Sequence, residues 1–291
     1  MPMKTGYVAI AGRPNVGKST LLNKFMGVKL SAVSRRPQTT RQRVLGIDNG
    51  PEYQIIFLDT PGLLDPSYAL QVKLLRIAHR SIEEADLLLF MIDAKIGILA
   101  EDAAFLEKNK KGKVIGVLNK IDLMEKEGVL KAIAQFHRLT AIEDIYPIAA
   151  LKGFGIDELR RGVLDKLPEG PALYDQDSLT DQPEKFFVSE IIREKIFELC
   201  GAEVPYATAV VIDQFKEQPG RKDVISATIW VEKESQKPIL IGQGGHKMKA
   251  IGSSARRDIE KFLDRPVFLE LFVKVKKKWR SRESDLRDLG L

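Results

Sequence analysis

The chain has one cysteine, Cys200, among 291 residues, which excludes a disulfide framework and suits a reducing compartment. The pattern around it predicts a small buried residue at the end of a helix. Its three histidines, His79, His137 and His246, stand at no ligand spacing with that cysteine or with one another, so a zinc centre is not expected. No apolar run approaches the ~18 residues of a membrane-crossing helix. Leu87 to Ile92 is far too short, and Met1 to Thr5 lead into a strand with no apolar signal core. The expectation is a protein neither secreted nor membrane-spanning. Internal repeats and low-complexity tracts are also missing.

What is present is ordinary for a globular chain: 44% apolar and 30% charged residues. The length favours two domains over one. A net charge of +6 is compatible with a polyanionic partner and equally with plain solubility. Lys274, Lys276, Lys277, Lys278, Arg280 and Arg282 crowd the end of the chain, either as a solvated face or as part of a nucleic-acid site.

The most informative residues follow the apolar run Tyr7 to Ala11. Gly12, Arg13, Pro14, Asn15, Val16, Gly17, Lys18, Ser19 and Thr20 spell a phosphate-cradling loop, G-x-x-x-x-G-K-S, that opens a helix. Backbone N–H groups, a helix N-terminus and the Lys18 ammonium answer the charge of a nucleoside triphosphate. Ser19 offers a hydroxyl to Mg²⁺. Asp59, Thr60, Pro61 and Gly62 close the run Tyr53 to Leu58, where a carboxylate can hold a metal-bound water and the Gly62 N–H can meet a γ-phosphate. Asn119, Lys120 and Asp122 end the run Lys113 to Leu118, and the Asp122 carboxylate matches the two adjacent donors that guanine shows and adenine lacks. A site built on that hydrogen bond rejects the wrong base strongly, so GTP is the expected nucleotide.

Residues 1–168 alternate short apolar runs with helical stretches, which predicts an α/β domain with a mostly parallel sheet and helices on both faces. The motifs all fall at strand carboxyl ends, where such sheets bind ligands. Residues 169–184, rich in Pro, Gly and Asp, read as a linker. Residues 185–291 run helix, strand, strand, a Gly-rich turn between helices, strand, an α+β order. The turn is Ile241, Gly242, Gln243, Gly244, Gly245, His246 and Lys247, with Lys249, Arg256 and Arg257 adding positive charge.

The spacing of G-R-P-N-V-G-K-S, D-T-P-G and N-K-x-D, with Gln38 to Arg41 between the first two, resembles the translation-factor-type GTPases. Within them it is similar to the bacterial ribosome-assembly and RNA-modification subgroup. The second domain resembles a KH module whose G-x-x-G turn clamps the backbone of about four unpaired nucleotides. A GTPase joined to a C-terminal KH module resembles the bacterial GTPases of small-subunit assembly over essentially the whole chain. That resemblance implies GTP hydrolysis, GTP/GDP and Mg²⁺ as ligands, and a monomeric protein that binds small-subunit ribosomal RNA and the small ribosomal subunit. It also implies a cytoplasmic location with peripheral association at the inner membrane.

On this reading Lys18, Thr40, Gly62 and Asn15 serve catalysis, and Ser19, Thr40 and Asp59 serve the metal. Thr39 rivals Thr40. Leu63 and Leu64 stand where a Ras-like GTPase carries a water-orienting Gln, so unaided turnover should be slow. Asn15 either helps hold a K⁺ ion or satisfies its own turn. Ala149, Ala150 and Leu151 should face the base, the Ala150 N–H meeting guanine O6, although Ala149 replaces the usual serine. Ile241 to Lys247, Lys249, Lys276, Lys277 and Lys278 are the expected RNA contacts. Trp230 reads as core; Trp279 either stacks on a base or anchors the last helix. An RNA chaperone with a nonhydrolysing nucleotide site and a membrane-surface switch are the rival functions.

Overall fold

The computed structural model describes residues 3–34, 36, 39–63, 66–109, 113–140, 142–201 and 203–291. Gln38 of the expected inter-motif segment and Leu64 lie outside these residues. The chain divides into two compact units.

In the first unit, β1 (Met3–Ala11), β3 (Tyr53–Asp59), β4 (Leu87–Asp93), β5 (Lys113–Asn119) and β6 (Ile145–Pro147) run parallel. The sheet order is β2-β3-β1-β4-β5-β6, and the antiparallel β2 (Val44–Gly50) closes one edge. β4 is buried at every position, as expected of a strand covered on both faces. The helices α1 (Lys18–Met26), α2 (Ala69–Glu83, of which the residues from Leu74 onward belong to this unit), α3 (Ala100–Lys108), α4 (Lys126–Leu139) and α5 (Ile156–Lys166) alternate with the strands. This is the α/β order that the apolar runs predict. The strand order reverses at β1, so the loop leaving β1 lies at the switch point where such sheets bind ligands.

The stretch expected as a linker has structure of its own. β7 (Glu169–Gly170) pairs with β1, Leu179 O accepts from Ile47 N at 2.9 Å, and Gln54 holds Leu173, Tyr174 and the Tyr174 carbonyl. Residues 169–181 therefore belong to the first unit. Their side chains are mostly exposed, and hydrogen bonds from Asn49 and Ile47 of β2 and Gln54 of β3 hold their backbone at several points.

The second unit is built on α6 (Glu184–Leu199), β8 (Ala209–Lys216), β9 (Asp223–Val231), α7 (Gln236–Ile241), α8 (His246–Leu263), β10 (Val267–Val275) and α9 (Glu283–Asp288). Its three-stranded sheet has the order β10-β9-β8, with β10 parallel and β8 antiparallel to β9. Val210, Ile225, Ala227, Ile229 and Val267 face Ile192, Ile196, Ile251, Ala255 and Ile259 of the helices, forming one apolar core. Cys200 follows α6 and is buried in that core, and burial raises its thiol pKa. Trp279 is fully buried and donates its indole N–H to Ala207 O at 2.9 Å, so of its two readings the anchor is the one the fold adopts. Trp230 is also buried. Among the described residues no helix is long and apolar enough to cross a membrane.

Candidate nucleotide site and nucleic-acid interface

The loop after β1 bends back on itself at backbone angles few side chains tolerate. Gly12 (φ +145°) and Gly17 (φ +107°) both need the freedom of glycine, since a Cβ on Gly12 would lie 2.1 Å from Met91 O. Asn15 takes φ 63°, which asparagine adopts more readily than most residues. Gly17 caps α1, aiming the helix N-terminus into the loop. Lys18 is buried and donates from Nζ to Gly12 O at 3.1 Å and Arg13 O at 3.0 Å. Burial lowers its pKa from 10.5 to about 8, with the Asp59 carboxylate acting in the opposite direction. A cation held by its own loop's carbonyls is primed for a phosphate to take their place.

Ser19, Thr40 and Asp59 converge. Ser19 Oγ donates to Asp59 Oδ2 at 2.7 Å and lies 2.9 Å from Thr40 Oγ1, which is itself 3.5 Å from Asp59 Oδ2. Asp59 is wholly buried, and burial raises its pKa against the pull of Lys18 and the hydroxyls. Its Oδ1 is buried without a partner among the described residues. Two hydroxyls and one carboxylate with a spare oxygen form a hard donor set that fits Mg²⁺, which keeps several waters and needs few protein ligands. Thr39 points elsewhere: its Oγ1 donates to Arg36 O at 2.9 Å, its carbonyl accepts from Arg193, and it belongs to the second unit.

Gly62 packs on the phosphate loop, where a Cβ would approach the Pro14 backbone to 2.9 Å, and Leu63 N donates to Gly12 O at 3.1 Å. Thr60 Oγ1 donates to Ile10 O at 2.9 Å and is buried, which makes it a brace for the strand end. Asn119 Nδ2 donates to Val16 O at 2.7 Å, and its Oδ1 accepts from Ala150 N at 2.9 Å. The Ala150 amide expected at guanine O6 is thus already engaged by Asn119. Lys120 Nζ reaches Asn15 O and Asp93 Oδ2, each at 2.8 Å. Asp122 pairs with Lys152 at 3.3 Å. Backbone bonds close the 149–154 turn, with Ala149 N on Phe154 O and Lys152 N on Ala149 O, so no serine hydroxyl is needed to hold it.

Asp93, Asp102 and Lys152 are site residues that sequence reasoning missed. Asp102 pairs with Arg13 at 3.1 Å while Arg13 also donates to Gly97 O at 3.1 Å, tying the phosphate loop to the start of α3. Asp93 ends β4 at the same sheet edge as Asp59 and Asn119, and that position was the available signal.

In the second unit the Gly-rich turn has φ values of 76°, 56° and 78° at Gly242, Gly244 and Gly245. A Cβ on Gly245 would meet nothing within 4 Å, so another backbone can approach there. Beside it lies a cleft of about 630 Å³, lined by Lys237, Ile241, Met248, Lys249, Arg256 and Leu271 among others. Its apolar floor and cationic rim match bases and phosphates respectively. The structure brings Ile241, Gly245 and Lys249 to the cleft. Lys276 is drawn away into a pair with Asp285 at 2.8 Å and over the Trp230 ring at 3.6 Å, whereas Lys277 and Lys278 are exposed.

The fold and these two sites define a GTP-hydrolysing switch domain followed by a KH module. Residues 7–120 match the family model described as 50S ribosome-binding GTPase, and residues 203–280 match the KH domain model. The chain is 47% identical to GTPase Era of Geobacter metallireducens, over 99% of its own length and 98% of the relative's. It is 42% identical to GTPase Era of Staphylococcus haemolyticus, over 99% and 97%. Two solved structures cover 99% of both chains: an Aquifex aeolicus Era variant bound to GDP and AlF4⁻ (TM-score 0.96, 45% identity), and Era in complex with MgGDPNP and nucleotides 1506–1542 of 16S ribosomal RNA (TM-score 0.95, 46% identity). The chain belongs to the Era family of GTPases.

Proposed function

We propose that the chain hydrolyses GTP with Mg²⁺ and clamps unpaired small-subunit ribosomal RNA in its second unit, acting in maturation of the small ribosomal subunit. The observation that carries the nucleotide half is the convergence of Ser19, Thr40 and Asp59 beside Lys18. Phosphoryl transfer to water depends on position and charge more than on covalent chemistry. Lys18 exchanges its loop carbonyls for β- and γ-phosphate oxygens. Ser19 and Thr40 would hold the metal directly and Asp59 through water; when bound, Mg²⁺ neutralises charge developing on the phosphates. Gly62 presents its N–H to the γ-phosphate, and Asp122 reads the two guanine donors once Lys152 gives way.

The Leu63 side chain has no hydrogen-bonding group with which to orient water, and an added cation beside the phosphates would speed turnover by supplementing the charge of Lys18. Asn15, exposed on the loop, is the residue we assign to a K⁺ ion. Single-turnover hydrolysis in matched Na⁺ and K⁺ buffers tests this: equal rates reject the K⁺ role, and no hydrolysis in either rejects the enzyme.

The RNA half is supported by the Gly-rich turn and its cationic cleft, and by the 16S RNA bound to a relative of known structure. Residues 1–168 and 185–291 are the proposed GTPase and KH domains, joined by residues 169–184, of which 169–181 stay with the first unit. A cytoplasmic location with peripheral membrane attachment completes the proposal, and liposome sedimentation at rising salt tests the attachment.

A further inference from the structure

The turn over 149–154 aims a cation at the group that reads the base. Asp122 sits in a short 3₁₀ turn, Ile121–Leu123, whose first N–H donates to Ile148 O at 3.3 Å, so the carboxylate is fixed beside the chain that leaves β6. Facing it, Lys152 N and Gly153 N both donate to Ala149 O at 2.9 Å, and Ala149 N donates to Phe154 O at 3.0 Å. The backbone that carries Lys152 is therefore tied down as well. Lys152 Nζ lies 3.3 Å from Asp122 Oδ2, and the side chains of Lys152 and Asp122 are 65% and 18% exposed. With both backbones held, forming the pair restrains little beyond the lysine stem, while the exposed ammonium has a free path back to water.

Among the described residues Lys152 is the one ion-pair partner of Asp122. Without nucleotide, the base-reading carboxylate is thus already engaged, just as Lys18 at the other end of the pocket rests on carbonyls of its own loop. Guanine's two donors and the lysine ammonium compete for the same oxygens. A pair that must open before the base can bind divides the affinity by the inverse of the open fraction. Exposed ion pairs are weak, so the factor is small, but its sign is definite.

We infer that Lys152 is a built-in competitor of guanine: it occupies Asp122 in the nucleotide-free protein and is displaced by the base, so that guanine nucleotides bind about two- to sixfold more weakly than they would to the same pocket without it. The inference rests on the GTP reading given above and names a residue that sets the strength of its base site. A lysine that instead stayed to orient the carboxylate for the base would act with the opposite sign. So would simple attraction, since removing a positive charge from the mouth of a pocket for a polyanion weakens binding. Tighter binding on loss of Lys152 is a result that neither alternative produces.

The test measures the GDP affinity of the full chain by calorimetry in Mg²⁺ buffer. Lys152→Ala and Lys152→Gln should each bind GDP about two- to sixfold more tightly than wild type, and Lys152→Arg, which keeps the cation, should stay within about twofold of it. The gain should shrink as salt rises from about 0.05 to 1 M, because screening opens the pair in wild type. With Asp122→Asn the pocket takes xanthosine diphosphate and holds no carboxylate for Lys152, so adding Lys152→Ala to that variant should bring no gain for xanthosine diphosphate. GDP bound equally or more weakly by Lys152→Ala, or a gain that persists beside Asp122→Asn, would overturn the inference and leave the GTPase reading standing. Failure of wild type to bind GDP would overturn both together.

Discussion

Gly17 and Asn119 are interlocked: a Cβ on Gly17 would lie 2.2 Å from Asn119 Nδ2, the group that donates to Val16 O at 2.7 Å. The base-reading strand end and the phosphate loop are therefore held as one piece. Gly17→Ala combines a left-handed backbone strain with loss of that hydrogen bond, about 2–4 kcal/mol in total. GDP affinity by calorimetry should fall by at least about 30-fold, with a lower melting temperature.

Thr40 and Thr39 are separated by what their hydroxyls touch, Asp59 and Ser19 in one case and the Arg36 carbonyl in the other. Thr40→Ala should cut single-turnover GTP hydrolysis by about tenfold or more while GDP affinity stays near wild type. Thr39→Ala should do much less. The reverse order would reassign the metal-facing threonine.

Asp122→Asn replaces the acceptor for two guanine donors with an amide. GTP binding should weaken by about 1.5–3 kcal/mol, and xanthosine triphosphate, whose carbonyl replaces the guanine amine, should bind better to the variant than to wild type. Competition against labelled GDP measures both.

Lys18 makes nucleotide affinity pH-dependent. Its pKa is about 8 in the free protein, and phosphates raise it, so above pH 8 the complex holds more protons than its parts. Affinity should be flat below pH 8 and fall above it, with GDP about tenfold weaker at pH 9 than at pH 7. In the absence of nucleotide the sign is opposite: the buried ammonium penalises folding below pH 8, and stability contributed by this group rises from pH 8 towards 10.5. Proton uptake shows up as a dependence of binding heat on the buffer's ionisation enthalpy.

The sequence made the parallel strands of the first unit legible, because each is a short apolar run and β1, β3 and β5 end at motifs. β2 escaped, since Val44–Gly50 carries Gly46, Asp48 and Asn49 and is an antiparallel edge whose burial fades after Ile47. The short β7 has no periodicity at all. Motif residues such as Ser19 and Asp122 could be read from spacing, but Asp102 and Lys152 could not, as their partners Arg13 and Asp122 are met only after folding. Lys276 illustrates the opposite limit: a basic run does not tell which of its members turns inward to an aspartate.

Both tryptophans of the chain, Trp230 and Trp279, are buried in the second unit. Intrinsic emission excited at the red edge of the protein band is consequently a built-in reporter of that half alone. Melts followed by this signal and by far-ultraviolet circular dichroism, with and without GDP, separate loss of the clamp from loss of the nucleotide pocket without any label.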